Sequence, residues 1–344
     1  MLKKLYLHHF RNYEEKRLDF SGAEIQLCGK NGIGKTNILE AIHYLGILRS
    51  FKNAPVREIV QHSHDFFVLM AIFEKGGSEH KIQIEQRKNG ERICLIDGTL
   101  EKKANLLLHN FRSVIFAPED RSIISGTAAV RRRFFDILIS LEDSGYLYDL
   151  QQYKYALAQR NTLLKKSGVN ISNPLFAPFE ELLAFHGTKL MDKRAEYTAV
   201  IESEVQKLAG SNDFKIRYAP DWKNIGMEEI KQALRSNRER DLLKGFTTCG
   251  IQLDDFEITL NDLPMRSYAS SGQIRIYSLY LKMAEFNLSH AGGEKTIALV
   301  DDVTGELDKI HKDKFYSMLS DAEQIFFTFT APQKIFGNPQ IIEL

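Results

Sequence analysis

The sequence predicts a mixed α/β domain that is divided between the two ends of the chain and interrupted by a mainly helical block. Three observations lead to this prediction. A phosphate-binding motif lies between a strand and a helix near the amino terminus, an apolar strand near the carboxyl terminus ends in two aspartates, and long stretches of helical periodicity lie between them. We therefore expect residues 1–125 and 245–344 to form one split domain, and residues 126–244 to form an inserted, mainly helical subdomain.

The composition excludes several classes of protein. In 344 residues, 46 Lys and Arg are balanced by 45 Asp and Glu, and 43% of the residues are hydrophobic. This excludes a disordered chain and a chain that is basic throughout. The odd number of cysteines, three, excludes a disulfide framework and favours a reducing compartment. Since no apolar run approaches the roughly 20 residues of a membrane span, we expect a cytoplasmic protein with no membrane partner.

Strands dominate the first part of the chain, because apolar residues there alternate with polar ones. A helix is predicted over residues 36–45, where Ile38, Leu39, Ile42 and Leu45 share one face. The predicted strands cover residues 1–20 (two strands and a turn), 23–28, 67–73, 81–87, 92–96 and 113–116.

Helical periodicity takes over near residue 126 and continues to about residue 210. Its clearest stretches are residues 130–141 and 179–208, with a loop over residues 170–178. Strands return after Gly250. The predicted elements there are strands over residues 256–260, 296–300 and 324–330 and a helix over residues 272–288.

The phosphate-binding motif is Gly29-Lys30-Asn31-Gly32-Ile33-Gly34-Lys35-Thr36, which fits the P-loop pattern at every fixed position. Its glycines allow backbone N–H groups to surround a phosphate, and the following helix directs its positive end at the same oxygens. Lys35 is expected to reach the β- and γ-phosphates of a nucleotide, and Thr36 to hold Mg²⁺. The alternative is a plain glycine-rich turn between strand and helix.

The second half of this site is predicted at Asp301-Asp302, directly after the apolar strand. A buried strand that ends in a carboxylate completes the Mg²⁺ site of P-loop proteins, so we expect Asp301 to be the metal partner. Asp302 would orient or deprotonate the attacking water. The alternative is an ordinary helix start, because Asp also caps helices.

A third segment, Ser270-Ser271-Gly272-Gln273, opens a predicted helix and can expose its N–H groups to an anion. It resembles the signature motif of ABC-type ATPases, which meets the γ-phosphate of a nucleotide held by the other subunit. Asp308 resembles a residue of the loop that follows the Mg²⁺ carboxylates in those proteins. The alternative is a simple capped helix.

Taken together, these motifs resemble the RecF family of ATPases, which are related to the heads of SMC proteins. Phe10-Arg11-Asn12-Tyr13 is similar to the family's opening motif, and the P-loop helix and Arg49-Ser50-Phe51 follow at its spacing. The resemblance extends from residue 1 to about 330. The further matching segments are Gly34–Ala41, Pro118-Glu119-Asp120, Arg131-Arg132, Ser270–Arg275 and Asp301–Asp308.

The resemblance implies an ABC/SMC-head-like ATPase fold for the split domain and a weak, DNA-dependent ATPase activity with ATP and Mg²⁺. It implies an ATP-dependent homodimer that binds single-stranded and double-stranded DNA at gaps or junctions. It also implies that the protein helps to load a recombinase together with RecR and RecO. Arg11 and Asn12 would touch the nucleotide, and Ser270, Gly272 and Gln273 would act on the other subunit's ATP.

The sequence departs from the family at two places. The family's Gly-Pro-His-Arg-Asp-Asp segment is Gly250-Ile251-Gln252-Leu253-Asp254-Asp255 here, so its His and Arg are missing, and Ser271 stands where the family usually has Gln. Compared with ABC ATPases, Ala117-Pro118 replaces the glutamine of the loop that couples the lobes. We therefore expect slow hydrolysis.

The DNA-binding residues are predicted from charge. Arg131-Arg132-Arg133 is the densest cluster, although at most two of three consecutive helical residues share a face. Residues 1–125 contain 19 Lys and Arg against 15 Asp and Glu, residues 126–250 contain 19 against 16, and the rest contain 8 against 14. The alternative is that the arginines form an ordinary solvated face.

Two other functions are compatible with a P-loop. The protein can be a scaffold or nuclease regulator of the same ATPase type that makes no direct contact with DNA. A small-molecule kinase is disfavoured, because such an enzyme has no use for a signature segment about 235 residues beyond the P-loop.

Overall fold

The computed structural model describes residues 1–101, 111–223, 226–291, 295–303, 305 and 307–344. By their contacts the residues divide into two compact units. The head unit comprises Met1–Asp120 and Glu285–Leu344, and the helical unit comprises Arg121–Ala284. The sequence placed the return to the head domain at residue 245. Residues 245–284 instead group with the helical unit, because the strand over residues 255–260 pairs with the strand over residues 214–219.

The strands are named in chain order. They are β1 (Leu2–Phe10), β2 (Tyr13–Asp19), β3 (Glu24–Cys28), β4 (Phe66–Lys75), β5 (Ser78–Arg87), β6 (Arg92–Ile96), β7 (Thr99–Leu100), β8 (Ser113–Phe116), β9 (Phe214–Ala219), β10 (Asp255–Leu260), β11 (Leu263–Pro264), β12 (Ile297–Asp301), β13 (Gln324–Phe329) and β14 (Gln340–Glu343).

The helices are also named in chain order, and two short 3₁₀ turns cover Pro118–Arg121 and Ile251–Leu253. The α-helices are α1 (Lys35–Ile47), α2 (Val56–Ile59), α3 (Ser122–Ser125), α4 (Ala128–Glu142), α5 (Ser144–Leu164), α6 (Phe176–Ala209), α7 (Met227–Ser236), α8 (Arg238–Lys244), α9 (Met265–Tyr268), α10 (Ser271–Ala291) and α11 (Lys309–Leu319).

The head unit contains two sheets. One is antiparallel, in the order β2-β1-β4-β5-β6-β7, and its alternating apolar residues bury one face. The other is parallel, in the order β14-β3-β13-β12-β8, and β3, β8, β12 and β13 are buried along their whole length. Strands buried on both faces are typical of a parallel sheet that is covered by other elements. Side chains of both sheets and of α1 share one apolar core.

The helical unit is built around α5 and α6, of 21 and 34 residues, and a small antiparallel sheet in the order β11-β10-β9. Its interior contains charged side chains as well as apolar ones. Arg160 is completely buried and donates to Asp241 and Glu180, while Arg194 is 2% exposed and donates to Asp136 and Asp254. Among the described residues, no helix is both long and apolar enough to cross a membrane.

Candidate nucleotide and magnesium site

The P-loop lies where β3 ends and α1 begins. The backbone N–H of Gly29 donates to the carbonyl of Phe329 on the neighbouring strand β13, at 3.2 Å. Gly34 has φ +114°, and a Cβ there would lie 2.6 Å from the Tyr13 hydroxyl and 2.7 Å from Nδ2 of Asn12. Only glycine fits this position, both for its left-handed backbone and for its space. Lys30, Asn31, Gly32 and Ile33 are exposed, so a ligand can reach the loop.

Lys35 folds back over the loop. Its Nζ donates to the carbonyl oxygens of Gly29 at 2.7 Å and of Lys30 at 3.0 Å. The ammonium group therefore lies at the mouth of the loop, next to the backbone N–H groups that a phosphate would use. The position agrees with the role predicted for Lys35, which is to neutralise phosphate oxygens.

Thr36 and Asp301 lie in direct contact. Oγ1 of Thr36 donates to Oδ1 of Asp301 at 3.0 Å, and Oγ1 of Thr328 donates to the same oxygen at 2.8 Å. Asp301 is 6% exposed. Burial raises the pKa of Asp301 above its ordinary value, and the hydrogen bonds from Thr36 and Thr328 partly oppose that shift. A cation at this position would favour the ionised form.

The donor set fits Mg²⁺. A hydroxyl and a carboxylate are hard oxygen ligands, and Mg²⁺ usually takes one or two protein ligands beside phosphate and water. Within the part of the chain that the structure describes, no group of three or more His, Cys, Asp or Glu side chains could hold a metal ion. Thr36 and Asp301 would thus offer two protein oxygens to Mg²⁺, which is the usual number for a site that phosphate and water complete.

The parallel sheet explains how residues so far apart in sequence meet. Strand β13 lies between β3 and β12, with Asp301 paired to Thr328 and Cys28 paired to Phe329. The carboxyl ends of these three strands therefore form one edge, where ligands of open α/β sheets bind. Asp302 follows Asp301 on this edge; it is exposed, has φ +50°, and its backbone N–H donates to Oγ1 of Thr328 at 3.2 Å.

Arg11 is bonded to the P-loop helix. Its Nε and Nη2 donate to the two carboxylate oxygens of Glu40 at 2.8 and 2.7 Å, and its Nη1 donates to the carbonyl of Glu58. Glu40 is completely buried in α1, and Ser50 also donates to it. A buried carboxylate needs such partners, because an unpaired charge in the interior is costly.

Asn12 contacts the P-loop itself. Its Nδ2 donates to the carbonyl of Ile33 at 3.0 Å, and its Oδ1 accepts from Nδ2 of Asn37 at 2.8 Å. Beside it, burial raises the pKa of Tyr13 to about 12. Arg11 and Asn12 thus hold the loop and the first turns of α1 in place, and the nucleotide contact predicted for both stays a prediction.

The signature segment lies in the helical unit, at the start of α10. The hydroxyl of Ser270 accepts from the backbone N–H of Gln273 at 3.2 Å, while the side-chain oxygen of Gln273 accepts from the backbone N–H of Ser270 at 2.8 Å. This reciprocal pair is a capping box. Both side chains are exposed, and a Cβ at Gly272 would have no close neighbour. The trans role of the three residues stays a prediction.

Asp308 is the N-cap of α11. Its side chain accepts from the backbone N–H of His311 at 2.9 Å and bonds Nδ1 of the same histidine. The bonds from His311 lower the pKa of Asp308. The predicted part of Asp308 in a nucleotide site stays a prediction beside this capping role.

The structure corrects the prediction that Arg131 faces DNA. Arg131 is 5% exposed, and its Nε and Nη2 donate to the two carboxylate oxygens of Asp255 at 2.7 and 2.9 Å. Arg132 is half-buried and donates to the carbonyl of Asp254 at 2.6 Å. Arg133 is also half-buried and interacts with another residue. The run of arginines therefore joins α4 to the start of β10 and forms no open basic face.

The segment Gly250–Asp255 has a structural role here. Gly250 has φ +123°, which favours glycine, and Asp254 is 1% exposed. Asp254 accepts from Nη1 of Arg194 at 2.7 Å, from the backbone N–H of Asp221 at 2.8 Å and from the hydroxyl of Tyr218. The segment thus lacks the family's His and Arg, but each of its two aspartates accepts from an arginine, Asp254 from Arg194 and Asp255 from Arg131.

Sequence reasoning missed two functional neighbours of this site, Thr328 and Glu40. Thr328 lies in an apolar strand, and the available signal was a lone hydroxyl at the carboxyl end of that strand. Glu40 lies on the buried face of α1, where a carboxylate among apolar residues is a signal for a partner such as Arg11.

Comparisons with known proteins identify the family of this chain. The family model described as the RecF/RecN/SMC N terminal domain matches residues 1–338. A "DNA replication and repair protein RecF" of Thermoanaerobacter sp. (strain X514) is 31% identical over 98% of this chain and 96% of its own length. One of Protochlamydia amoebophila (strain UWE25) is 34% identical over 96% and 94%.

Two solved structures are similar over nearly the whole chain. One is described as "the recombination mediator protein RecF-ATP in RecFOR pathway"; it has a TM-score of 0.89 and 32% identity, covering 98% of this chain and 94% of that one. The other is described as RecF-ATPrS in the same pathway, with a TM-score of 0.85, 30% identity and coverage of 100% and 96%.

Proposed function

The chain belongs to the RecF family, and from that premise we propose that it is an ATP-dependent DNA-binding protein of recombinational repair and replication restart. The observation that supports this most directly is the contact of Thr36 with Asp301 beside Lys35, at the carboxyl edge of the parallel sheet. This is the arrangement that a P-loop ATPase needs for ATP and Mg²⁺.

Each residue of the site has a role in this proposal. Lys35 and the N–H groups of residues 29–36 bind the phosphates, and Thr36 and Asp301 hold Mg²⁺, which neutralises the developing phosphate charge when it is bound. Asp302 accepts a proton from the attacking water. Thr328 fixes the Asp301 carboxylate through the bond to Oδ1. Hydrolysis is slow and is stimulated by DNA.

A homodimer completes the site in this proposal. Ser270, Gly272 and Gln273 of one copy meet the ATP that is bound to the P-loop of the other, and Asp308 lies near that interface. Because ATP then binds the closed dimer better than the separate copies, it shifts the equilibrium towards closure. Gap or junction DNA and the proteins RecR and RecO are the proposed partners, in keeping with relatives assigned to the RecFOR pathway.

Sedimentation with and without ATP and gapped DNA tests this proposal. ATP should convert the protein to a dimer, and gapped DNA should then sediment with it. Lys35→Met should abolish ATP binding and therefore both effects. A dimer that forms with ATP but leaves gapped DNA free would instead favour a scaffold or nuclease regulator.

Two variants separate the steps. Asp302→Asn should bind ATP and accumulate as a dimer, because hydrolysis no longer reopens it; normal turnover would remove Asp302 as the base. Ser270→Arg should bind ATP and remain a monomer. Dimerisation of that variant with ATP would contradict the trans role of the signature segment.

A further inference from the structure

Several cations on the surface of the helical unit are neutralised by a nearby carboxylate. Such pairs lie on several of its elements and join neighbouring turns or strands. Examples are Lys193 with Glu196 at 3.0 Å, Lys207 with Glu204 at 2.6 Å, Lys215 with Asp262 at 2.6 Å and Lys231 with Glu228 at 2.8 Å.

At one end of the unit, four cations without such a partner among the described residues lie close together. Lys165 and Lys166 follow the last turn of α5, and Arg240 and Lys244 lie on α8. All four side chains are exposed, and among the residues described none of the four takes part in an ion pair. Their charge is therefore available to a ligand.

The two segments lie side by side. A methyl group at Gly245 would lie 3.7 Å from Cγ of Lys165, and the backbone N–H of Thr247 donates to Oδ1 of Asn161 at 2.8 Å. Leu242 of α8 packs against a small apolar cluster that includes Leu163 of α5. The lysines of α5 and the cations of α8 thus belong to one continuous surface.

Helix α8 has one inner and one outer face. Asp241 is completely buried and bonded to Arg160, and Leu242 faces the apolar cluster. Arg240 and Lys244, one turn apart, share the opposite face. Between and beside them lie two exposed apolar side chains, Leu243 at 84% and Phe246 at 50% exposure.

We propose that this surface, the basic tip, binds the single-stranded part of gapped DNA. The basic tip comprises Lys165, Lys166, Arg240, Leu243, Lys244 and Phe246. The inference rests on the proposed function, since it names the surface for the DNA that the function requires. In this proposal the basic tip, and not the buried Arg131, is the face that binds the DNA phosphates.

The chemistry selects this ligand. Clustered, unpaired Lys and Arg side chains match the regular charge of a phosphate backbone. An exposed aromatic ring among them offers a surface on which an unpaired base can stack, and such stacking is available in single strands. Glu239, exposed at the flank of α8, marks one border of the positive surface.

The test uses the full-length protein with ATP and a fluorescent oligothymidylate, a gapped duplex and an intact duplex, over a series of salt concentrations. The tip variant combines Lys165→Gln, Lys166→Gln, Arg240→Gln and Lys244→Gln. Its matched control makes the same change at the ion-paired lysines Lys193, Lys207, Lys215 and Lys231. A third variant is Phe246→Ser. Thermal unfolding and ATP affinity confirm that each variant is folded.

We expect the tip variant to lose about tenfold or more in affinity for oligothymidylate and gapped DNA, and its salt slope to fall by about 3. Phe246→Ser should lower the affinity for oligothymidylate about fivefold or more with an unchanged slope, because it removes stacking and no charge. The control variant should bind as the wild type does.

The outcomes are distinct. Failure of the wild type to bind any DNA would reject the proposed function itself. Binding by the wild type with equal affinity and slope in the tip variant would overturn only the inference about the basic tip. An equal loss in the control variant would also overturn it, as would a loss confined to the intact duplex.

Discussion

The head unit and the helical unit both bury charge, but they surround it differently. In the helical unit, Arg160 lies between Glu180 and Asp241, and Arg194 lies between Asp136 and Asp254. In the head unit, Asp301 is buried with two hydroxyl donors, and among the described residues it forms no ion pair.

Under the proposed function, this difference separates a structural charge from a functional one. Every guanidinium nitrogen of Arg160 and Arg194 donates to at least one protein acceptor, so their networks join distant segments and require no ligand. Within the described part of the chain, Asp301 accepts from two neutral hydroxyls only, so burial destabilises its ionised form, and a bound cation would favour that form. Substitutions of Arg160 and of Asp301 should therefore fail in different assays.

Arg160→Met should have the largest effect on stability. It leaves Glu180 and Asp241 buried without their main cation, and breaking a buried pair in this way costs about 3–5 kcal/mol. We expect the helical unit to unfold at a lower denaturant concentration than in the wild type. At low temperature, the fraction of the variant that is folded should bind ATP with the affinity of the wild type. Because Arg238 also pairs with Glu180, the loss at Asp241 should dominate.

Lys215→Met provides the comparison for this variant. Lys215 pairs with Asp262 on the surface, so its loss should change the free energy of unfolding by about 1 kcal/mol or less. If Arg160→Met were equally mild, the buried network would not be what holds α5, α6 and α8 together.

Asp301→Asn should show the opposite behaviour. Asparagine can still accept the bonds from Thr36 and Thr328, so the nucleotide-free protein should be as stable as the wild type or more stable by about 1 kcal/mol. Turnover should fall by about a hundredfold or more, because the Mg²⁺ ligand loses its charge. Calorimetric unfolding with and without Mg²⁺ and ATP, together with phosphate release, measures both effects. Marked destabilisation without ligand would place Asp301 among the structural charges.

The same difference explains what the sequence could predict. The contact between the P-loop and Asp301 was predictable because the spacing of the motif and an aspartate at a strand end are typical of P-loop proteins. Glu40 and Thr328 were not, because their partners Arg11 and Asp301 lie 29 and 27 residues away in the chain and the contacts arise only in the folded sheet.

The helical unit was less predictable for a related reason. Its helices follow from periodicity, but three consecutive arginines gave no sign that Arg131 is buried, since its partner Asp255 lies 124 residues away. The edge strand β9 was not predicted either, and it is the partner that holds residues 255–260 in the helical unit. Clusters of charge in sequence are therefore a weak guide to open surface.

Glu40→Gln should have an intermediate effect. It removes the charge that fixes Arg11 but keeps the shape, and Arg11 is partly exposed, so we expect a loss of about 1–3 kcal/mol in unfolding free energy. ATP affinity should fall severalfold, because Arg11 and Asn12 no longer hold the P-loop in place. Ser50→Ala, which removes a neutral partner of the same carboxylate, should lower ATP affinity less. Equal effects of both variants would show that the charge of Glu40 is unimportant.

A smaller effect on the free energy of unfolding is expected when the pH is lowered. Burial would raise the pKa of Asp255, but the hydrogen bonds from Arg131 and the backbone N–H of Phe256 and the charges of Arg131 and Arg132 lower it below its ordinary value. The folded state therefore gains stability above the unfolded pKa, and this gain is lost as the pH falls through the folded pKa. After solvent screening it amounts to about 1 kcal/mol or less. Unfolding curves between neutral pH and pH values below 4 should show this loss in the wild type and a weaker one in Asp255→Asn.

The smallest effect should be that of Ser270→Ala, which tests whether the exposed signature segment belongs to the structural or the functional group. The substitution removes one half of the capping box at α10, and a lost cap of this kind costs about 0.5–1 kcal/mol. Ser271→Ala is the control, since no capping bond involves that side chain among the described contacts. If Ser270 served the helix alone, its loss would lower stability and leave ATP-dependent dimerisation unchanged. If dimerisation fell by more than the loss of stability explains, the Ser270 hydroxyl would have a role at the nucleotide, as proposed for Lys35 and Asp301, in addition to capping the helix.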